Sequence, residues 1–513
     1  MRIKTKLYAL LSLIAGGILP LAFAPWHYFW LAPLVTAVLL TIWIKSTPWR
    51  AALNGWLFGL GVFGVGASWV YVSIHRFGGA SILLASFLTA LFIITLALFL
   101  AIQGYCFARF TPRKFVLGFP VFWVLFEWLR SHFFTGFPWL LLGYSQTNSP
   151  LRGYAPIIGV YGISFLVALS AALIVAILKR VTSQKPVACH SPTQSVDRRI
   201  QAVLLVLPRL IEKLLKRRFI YLIILILIWI IGGVLAQINW TKPISKPIKV
   251  SIVQGNIPQQ IKWSPEQIKP TMQHYKNLTD WQNDIIVWPE AAIILPLPYA
   301  QHFVNQMSRV AKKHHASLIL GIPVQINSQY YNAAIAVGAG SGVYYKQRLV
   351  PFGEYVPFEN ILRGLFTFFD LPMSEFVAGA KNQKLLRAGN VLIAPYICYE
   401  VAYDNLVRQD LPRAQLLITL SNDAWFGKSI AAAQHLQIGQ MRCLETGRYM
   451  LFSTNNGISA IINPHGKIIA RLPRFKTDVL NGKVYAIRGT TAVQVIGTYE
   501  IVIVLSFLVL LLI

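Results

Sequence analysis

Charge is what this chain has little of. Only 13% of its 513 residues are charged against 55% hydrophobic, whereas soluble globular proteins carry about a quarter charged. That excludes an ordinary water-soluble protein and points to a chain built to sit in lipid. Acidic residues are scarcest, 18 against 47 Lys and Arg. Outside 249–488 they are limited to Glu127, Asp197, Glu212 and Glu500, so that stretch reads as a water-facing domain. Cysteine is sparse too. Cys106, Cys189, Cys398 and Cys443 form no CxxC pair and no metal-ligand spacing, which argues against both a disulfide framework and a zinc site; no metal and no cofactor is expected. A formal charge of +29 is compatible with nucleic-acid binding, but the basic residues are dispersed between apolar segments. Anionic lipid headgroups are the expected partner, and nucleic acid is not.

What is present in abundance is long apolar sequence. Runs able to cross about 30 Å of hydrocarbon fall at 7–24, 29–44, 53–74, 82–107, 115–129, 158–178 and 220–238, with an eighth at 501–513. The fifth and eighth are short and need local thinning or flanking anchors. The expected architecture is a polytopic α-helical membrane bundle of about eight spans, seven within 1–246 and one within 495–513, with an α/β domain over 247–494. Arg2, Lys4 and Lys6, then Lys45 and Arg50, then Arg109, Arg113 and Lys114, and finally the basic loop 179–218 alternate onto one face. The excess of Lys and Arg assigns that face to the cytoplasm and sends the α/β domain outward. MRIKTK, an apolar run and Ala22-Phe23-Ala24 imitate a cleavable signal, but Pro25 follows directly, and the run is read as an uncleaved first span.

From residue 248 the pattern changes to short β-branched runs bounded by turn residues: IKVSIVQGN, DIIVWPE, ASLILGIPV, AAIAVGAG, VLIAPYICYE, LLITLSND and MLFSTNN. Helical stretches intervene at 300–315 and 429–447, and Asn463-Pro464-His465-Gly466 predicts a hairpin loop. Three decoys are set aside. Gly59-x-Gly61-x-x-Gly64 lies within an apolar span, where small residues serve close helix packing. Gly427-Lys428-Ser429 ends like a P-loop, but Asn422 stands where the first glycine belongs. His314-His315, placed on an amphipathic helix, lacks metal-binding companions.

The chemistry concentrates at strand ends. Cys398 closes an apolar run beside Glu400, Glu290 closes DIIVWPE, and Lys346 follows the β-rich run 334–345 with Tyr344 and Tyr345 placed to desolvate it. Thiol attack on an acyl carbonyl needs a base for the thiol proton, a cation or donors for the oxyanion, and a turn that presents sulfur. Glu, Lys and Cys can fill those roles. Taken singly, each has a plainer reading: a turn glutamate, a strand-end lysine, a buried small cysteine. Glu127, in or beside the fifth run, either serves the site or pairs with Arg130.

WPE ending at Glu290, KQRLVPFGEYVPF from Lys346, ICYE ending at Glu400, SNDAWFG from Ser421, SWVYVSIHRFG from Ser68 and TGFPWLLLGYSQ from Thr135 together resemble the apolipoprotein N-acyltransferases, a membrane-embedded branch of the nitrilase superfamily, over nearly the whole chain. The resemblance implies an α-β-β-α nitrilase-like sandwich. It implies Glu290 as general base, Lys346 as oxyanion stabiliser, Cys398 as acyl-carrying nucleophile, and supporting roles for Glu354 and Glu400. Glu354 fits physically if the Pro-Phe-Gly turn folds it back beside Lys346. Trp263, Tyr399 and Trp425 correspond to positions near the acyl-lipid entrance. The implied location is the bacterial inner membrane, multi-pass, with the α/β domain in the periplasm. The implied partners are a membrane phospholipid as acyl donor and a diacylated apolipoprotein as acceptor, with the enzyme a monomer. The alternative is a membrane-tethered nitrilase-type amidase or hydrolase; a third reading is an inactive lipoprotein-binding module.

Overall fold

The structure, a computed structural model, describes residues 2–179, 217–355 and 375–512. The basic loop 179–218, with its polar stretch 182–197 and Cys189, falls almost wholly outside the described residues, as do positions 356–358 of the KQRLVPFGEYVPF motif.

Helices form where the apolar runs place them: α1 (Arg2–Ile18), α2 (Leu31–Ile44), α3 (Pro48–Gly66), α4 (Ile82–Phe110), α5 (Phe115–His132), α6 (Ala155–Leu178) and α7 (Arg217–Leu235). Among the described residues, four segments are long and apolar enough to cross a membrane: Ile3–Ala22, Ile82–Phe110, Pro150–Leu178 and Arg217–Leu235. The run 53–74 is not one straight helix. α3 stops at Gly66, and the chain bends by 56° before a shorter helical stretch ending at Phe77. The Trp69 indole donates to the Gly66 carbonyl at 3.0 Å, satisfying a helix-end acceptor. α2 has 14 residues, about 21 Å at 1.5 Å per residue, and α5 holds Pro120, Glu127 and Arg130. Neither is a plain apolar span.

α6 also breaks. Gly159 takes φ 64 and ψ −172 inside it, a conformation open to glycine because no Cβ collides. The freed Val160 N–H donates to the Glu445 carboxylate at 2.7 Å. Close helix packing explains the glycine decoy in α3: a Cβ on Gly61 would strike the Leu13 carbonyl of α1, and one on Gly59 would strike Ala97 of α4.

The α/β half holds two sheets. β1 (Ile248–Gln254), β2 (Ile285–Val287), β3 (Ser317–Ile326), β4 (Gln329–Gly338) and β5 (Val343–Tyr345) come first. β6 (Leu386–Ala388), β7 (Val391–Ile397), β8 (Leu416–Ser421), β9 (Met450–Thr454), β10 (Ala460–Ile462), β11 (Ile468–Arg471) and β12 (Asp478–Val484) follow. The six-stranded sheet has the order β12-β1-β2-β3-β4-β5; the seven-stranded one runs β11-β10-β9-β8-β7-β6 and ends on Gly340–Ser341. β1, β2 and β3 are parallel neighbours, as are β7, β8 and β9, so the residues that follow these strands gather at one end of each sheet.

Period-two alternation sorts the side chains into layers. Val250, Ile252, Ile393 and Ile397 face a core shared by the two sheets. Val253, Ile286 and Leu318 face outward under α8 (Ile268–Leu278) and α9 (Leu297–Lys313). Ala394, Tyr396 and Phe452 face the other way, under α10 (Ala431–Thr446). The result is the expected α-β-β-α sandwich. His314 caps α9 and His315 adopts φ 55, so this pair ends the helix instead of riding on it. The hairpin forms at Asn463–Gly466, where the Asn463 N–H donates to the Lys467 carbonyl at 2.9 Å between β10 and β11.

α10 is buried on nearly every side, because β7–β9 cover one face and the apolar helices cover the other. Gln434 accepts from the indoles of Trp139 (2.7 Å) and Trp69 (3.2 Å) and donates to the Gly66 carbonyl (3.1 Å). Gln437 accepts from the Ala24 N–H at 3.0 Å. α11 (Thr498–Leu512) then returns the chain against α5 and α6.

Candidate active site

Cys398 directly follows β7 with φ 54, a left-handed value that a residue bearing a Cβ holds only when its surroundings impose it. Two contacts impose it. Glu400 accepts the Ile397 N–H at 2.8 Å, and His435 Nε2 meets the Cys398 carbonyl at 3.1 Å. The chain leaves the sheet as a tight turn, Cys398–Ala402, and the half-buried thiol stands at the strand end.

Glu290 follows β2 and is 4% exposed. Its Oε1 accepts from Asn332 Nδ2 (2.8 Å) and Lys346 Nζ (3.3 Å), and its Oε2 accepts from the Asn422 N–H (2.8 Å). Lys346 follows β5, is itself buried, and donates to Glu354 Oε1 at 2.8 Å. The Pro351-Phe352-Gly353 turn does fold Glu354 back: Phe352 adopts φ 61, and Glu354 Oε2 accepts the Val350 N–H at 2.8 Å. Tyr344 and Tyr345 do not flank the ammonium as expected. Tyr344 donates to Glu400 at 2.9 Å and Tyr345 packs on Tyr331, so it is the two carboxylates and burial that surround Lys346.

These charges set the protonation states. Burial alone would lower the Lys346 pKa, but the Glu354 and Glu290 carboxylates outweigh it and raise the value, keeping the ammonium charged. Burial, followed by the Glu290 charge, pushes the Cys398 thiol up, with Lys346 opposing. At rest the sulfur is a thiol that needs a base, not a preformed thiolate.

The hydrogen bonds of Glu400 go to neither the Cys398 sulfur nor Lys346. It accepts the Gln347 and Arg348 N–H groups at 2.7 and 3.1 Å, tying the turn after Lys346 to the turn at Cys398. Burial lifts its pKa from 4.5 to about 7, against the pull of the Ile397 N–H and the Lys346 charge. Between those two values the folded protein binds more protons than the unfolded chain. The stability contribution is therefore complete below about 4.5 and lost as pH rises through about 7. Relative to Glu400→Gln, the wild type should lose about 3 kcal/mol over that window, read from denaturation midpoints at pH 4 to 8. Parallel curves for the two proteins would exclude this titration.

Of the three aromatic candidates, two meet the helical bundle. The Tyr399 hydroxyl donates to the Gly136 carbonyl at 2.9 Å, and its ring stacks on Trp139 with centroids 6.3 Å apart. The Trp425 carbonyl accepts from Ser73 Oγ at 2.8 Å, and its ring meets the Phe77 ring edge-on. Trp263 is half-buried beside Lys262. Arg130 and Glu127 shape the loop that carries Trp139. Arg130 donates to the carbonyls of Phe137 (2.6 Å) and Trp139 (2.7 Å), while Glu127 accepts the Trp123 indole (2.9 Å) and the Leu142 N–H (2.7 Å). Instead of pairing directly, the two brace one turn.

Four residues around the site went unassigned in the sequence. Asn332 donates to Glu290 and to Glu354, both at 2.8 Å; an amide opening the apolar run 332–338 was its signal. Lys262 donates to the Glu290 carbonyl at 3.2 Å, and burial lowers its pKa to about 8 against the Glu290 charge. Asp423, inside SNDAWFG, meets His435 Nδ1 at 3.0 Å. His435 thus links that motif to the Cys398 carbonyl while packing on Trp139.

Residues 15–173 match the apolipoprotein N-acyltransferase N-terminal domain, and residues 249–487 match the carbon-nitrogen hydrolase domain. The apolipoprotein N-acyltransferase of Coxiella burnetii is 42% identical over 515 residues, covering 98% of this chain and 100% of that one. The apolipoprotein N-acyltransferase of Azotobacter vinelandii is 42% identical over 496 residues, covering 94% and 90%. A crystal structure of a carbon-nitrogen hydrolase from Helicobacter pylori is similar at 16% identity and a TM-score of 0.36, over 47% of this chain and 89% of that one.

Proposed function

Because the chain belongs to the apolipoprotein N-acyltransferase family, we propose that it moves a fatty acyl chain from a membrane phospholipid, through a thioester on Cys398, to the α-amino group of an N-terminal diacylglyceryl-cysteine on an apolipoprotein. In the first step Glu290 takes the thiol proton as sulfur attacks the ester carbonyl, and Lys346 Nζ faces the developing oxyanion. Collapse breaks the ester C–O bond, Glu290 returns the proton to the departing alkoxide, and a lysophospholipid leaves. In the second step the lipoprotein amine attacks the thioester, Glu290 accepts the amine proton, and the Cys398 thiol is regenerated as the amide forms.

The observation that carries this reading is the buried cluster in which Lys346 bridges Glu290 and Glu354 at 3.3 and 2.8 Å, with both the Glu290 and Lys346 charges acting on Cys398. Glu354 keeps the lysine charged and aimed, and Glu400 holds the two turns in register. Trp263, Tyr399 and Trp425 are read as lining the acyl-chain approach, since amphipathic rings suit a boundary between water and lipid. A thioester open to water would hydrolyse, and the packing of Tyr399 on Trp139 supports a dry floor.

The placement in the cell follows the same reading: a bacterial inner-membrane monomer with about eight spans, seven before residue 246 and one after 495, and the catalytic domain 247–494 on the periplasmic side. α2, α5 and α11 are then spans that rely on their neighbours for length and polarity. The test is the mass of a synthetic diacylglyceryl-cysteine peptide incubated with purified protein and phosphatidylethanolamine. Gain of one acyl chain on the peptide is the expected result. Release of free fatty acid with an unchanged peptide would make the protein a hydrolase instead.

A further inference from the structure

At the far end of α10 from Cys398 lies a half-open cavity. The stretch after α7, the turn before α6, the end of α10 and the β10–β11 hairpin surround a cavity of about 480 Å³, within the range of small-molecule sites. His435 touches the Cys398 carbonyl and Leu444 lines the cavity; their separation of nine residues makes about 14 Å of helix. The cavity also meets Tyr449, which precedes β9, whereas the catalytic residues follow their strands. It is not the acyl-transfer site.

Its walls are of two kinds. Leu235, Ala236 and Ile238 form an apolar side continuous with α7, whose Ile226, Leu227, Ile230, Ile231 and Val234 are exposed. Arg152, Lys242 and His465 form a basic side, and among the described residues no carboxylate lines the space. Burial, and after it the Arg152 charge, hold His465 below its ordinary pKa, so its imidazole is neutral and meets the Asn239 side-chain oxygen at 2.8 Å, which leaves Arg152 and Lys242 as the cations of this wall. A third observation concerns Lys242 itself. Lys242 stands directly opposite Arg488 in an antiparallel pair, an arrangement that costs stability when like charges face each other. An anion held by Lys242 in the cavity offsets that repulsion.

We infer that this cavity holds the phosphodiester headgroup of one anionic phospholipid, its phosphate on Arg152 and Lys242 and its acyl chains along the exposed face of α7. The depth of the site at the lipid–water boundary rests on the membrane placement proposed above; the binding itself does not depend on acyl transfer. With no carboxylate to receive an ammonium, the site favours phosphatidylglycerol over phosphatidylethanolamine, which separates this lipid from the acyl donor.

Native mass spectrometry of the purified full-length protein, titrated with phosphatidylglycerol, tests this. One lipid is expected to remain bound to the wild type, with affinity at least about tenfold above that of the double variant Arg152→Gln/Lys242→Gln; each lost charge contact at a membrane surface is worth about 1 kcal/mol. Arg152→Lys should restore binding, and the double variant should keep acyl-transfer activity, which shows that it folds. Equal retention by wild type and double variant would overturn the site. Equal retention of phosphatidylethanolamine would overturn its selectivity for anionic lipid. Displacement of the lipid by millimolar inorganic phosphate would make it a site for the free anion instead.

Discussion

Cys398→Ala is expected to reduce acyl transfer to below about 10⁻⁴ of the wild-type rate, because it removes the atom that carries the acyl group in both half-reactions. No second thiol stands in for it among the described residues. Cys106 is in α4 and Cys443 is buried in α10. The fold should survive the change. Ala at φ 54 meets the same backbone strain as Cys, so the denaturation midpoint should hardly move, whereas Cys398→Gly relieves that strain and should stabilise by about 1 kcal/mol. Activity and stability then separate: both variants are dead, yet one is at least as stable as wild type and the other more so. Intact-protein mass after incubation with phosphatidylethanolamine should show an acyl adduct on wild type and none on either variant. Full transfer by Cys398→Ala would move the nucleophile elsewhere.

Lys346→Met should act on rate and stability together. The Lys346 ammonium donates to one oxygen of Glu290 and one of Glu354, and the Asn332 amide donates to the same two oxygens. Without the cation, those two buried carboxylate oxygens share a single amide. Breaking a buried ion pair by removing one partner costs about 3–5 kcal/mol, and losing an oxyanion donor costs about 10²–10³ in rate. The double variant Lys346→Met/Glu354→Gln should recover part of the stability, since one of the opposed charges is gone, and none of the activity. Coupling of this kind marks residues that share a network. If both variants retained wild-type turnover, Lys346 would have no part in the chemistry.

The strand runs and the two helices at 300–315 and 429–447 were legible because short β-branched runs and 3.6-residue periodicity are local properties. The positions of Glu290, Lys346 and Cys398 at strand ends were legible for the same reason, since each follows an apolar run that stops abruptly. The 56° bend after Gly66 was not. It depends on Trp69 and Gln434, which are 365 residues apart and meet only in the folded chain. The break at Gly159 was hidden likewise, because its carboxylate partner comes from α10. His435 offered no signal of its own; an imidazole in AAAQHLQIG reads as a helix residue until Asp423 and the Cys398 carbonyl are seen on either side of it. Glu400 was found for its place in ICYE, but its task of receiving two backbone donors from the loop after Lys346 exists only in three dimensions.

α10 has the sheet on one side and the bundle on the other, and this makes the protein indivisible. Its Gln434, Gln437 and Glu445 side chains spend their hydrogen-bonding capacity on Trp139, Trp69, Ala24 and Val160, none of which belongs to the sandwich. A severed sandwich would expose those amides and that carboxylate on a face otherwise lined by Ile438 and Met441, a surface suited neither to water nor to oil. The sandwich expressed without the bundle is therefore expected to be insoluble.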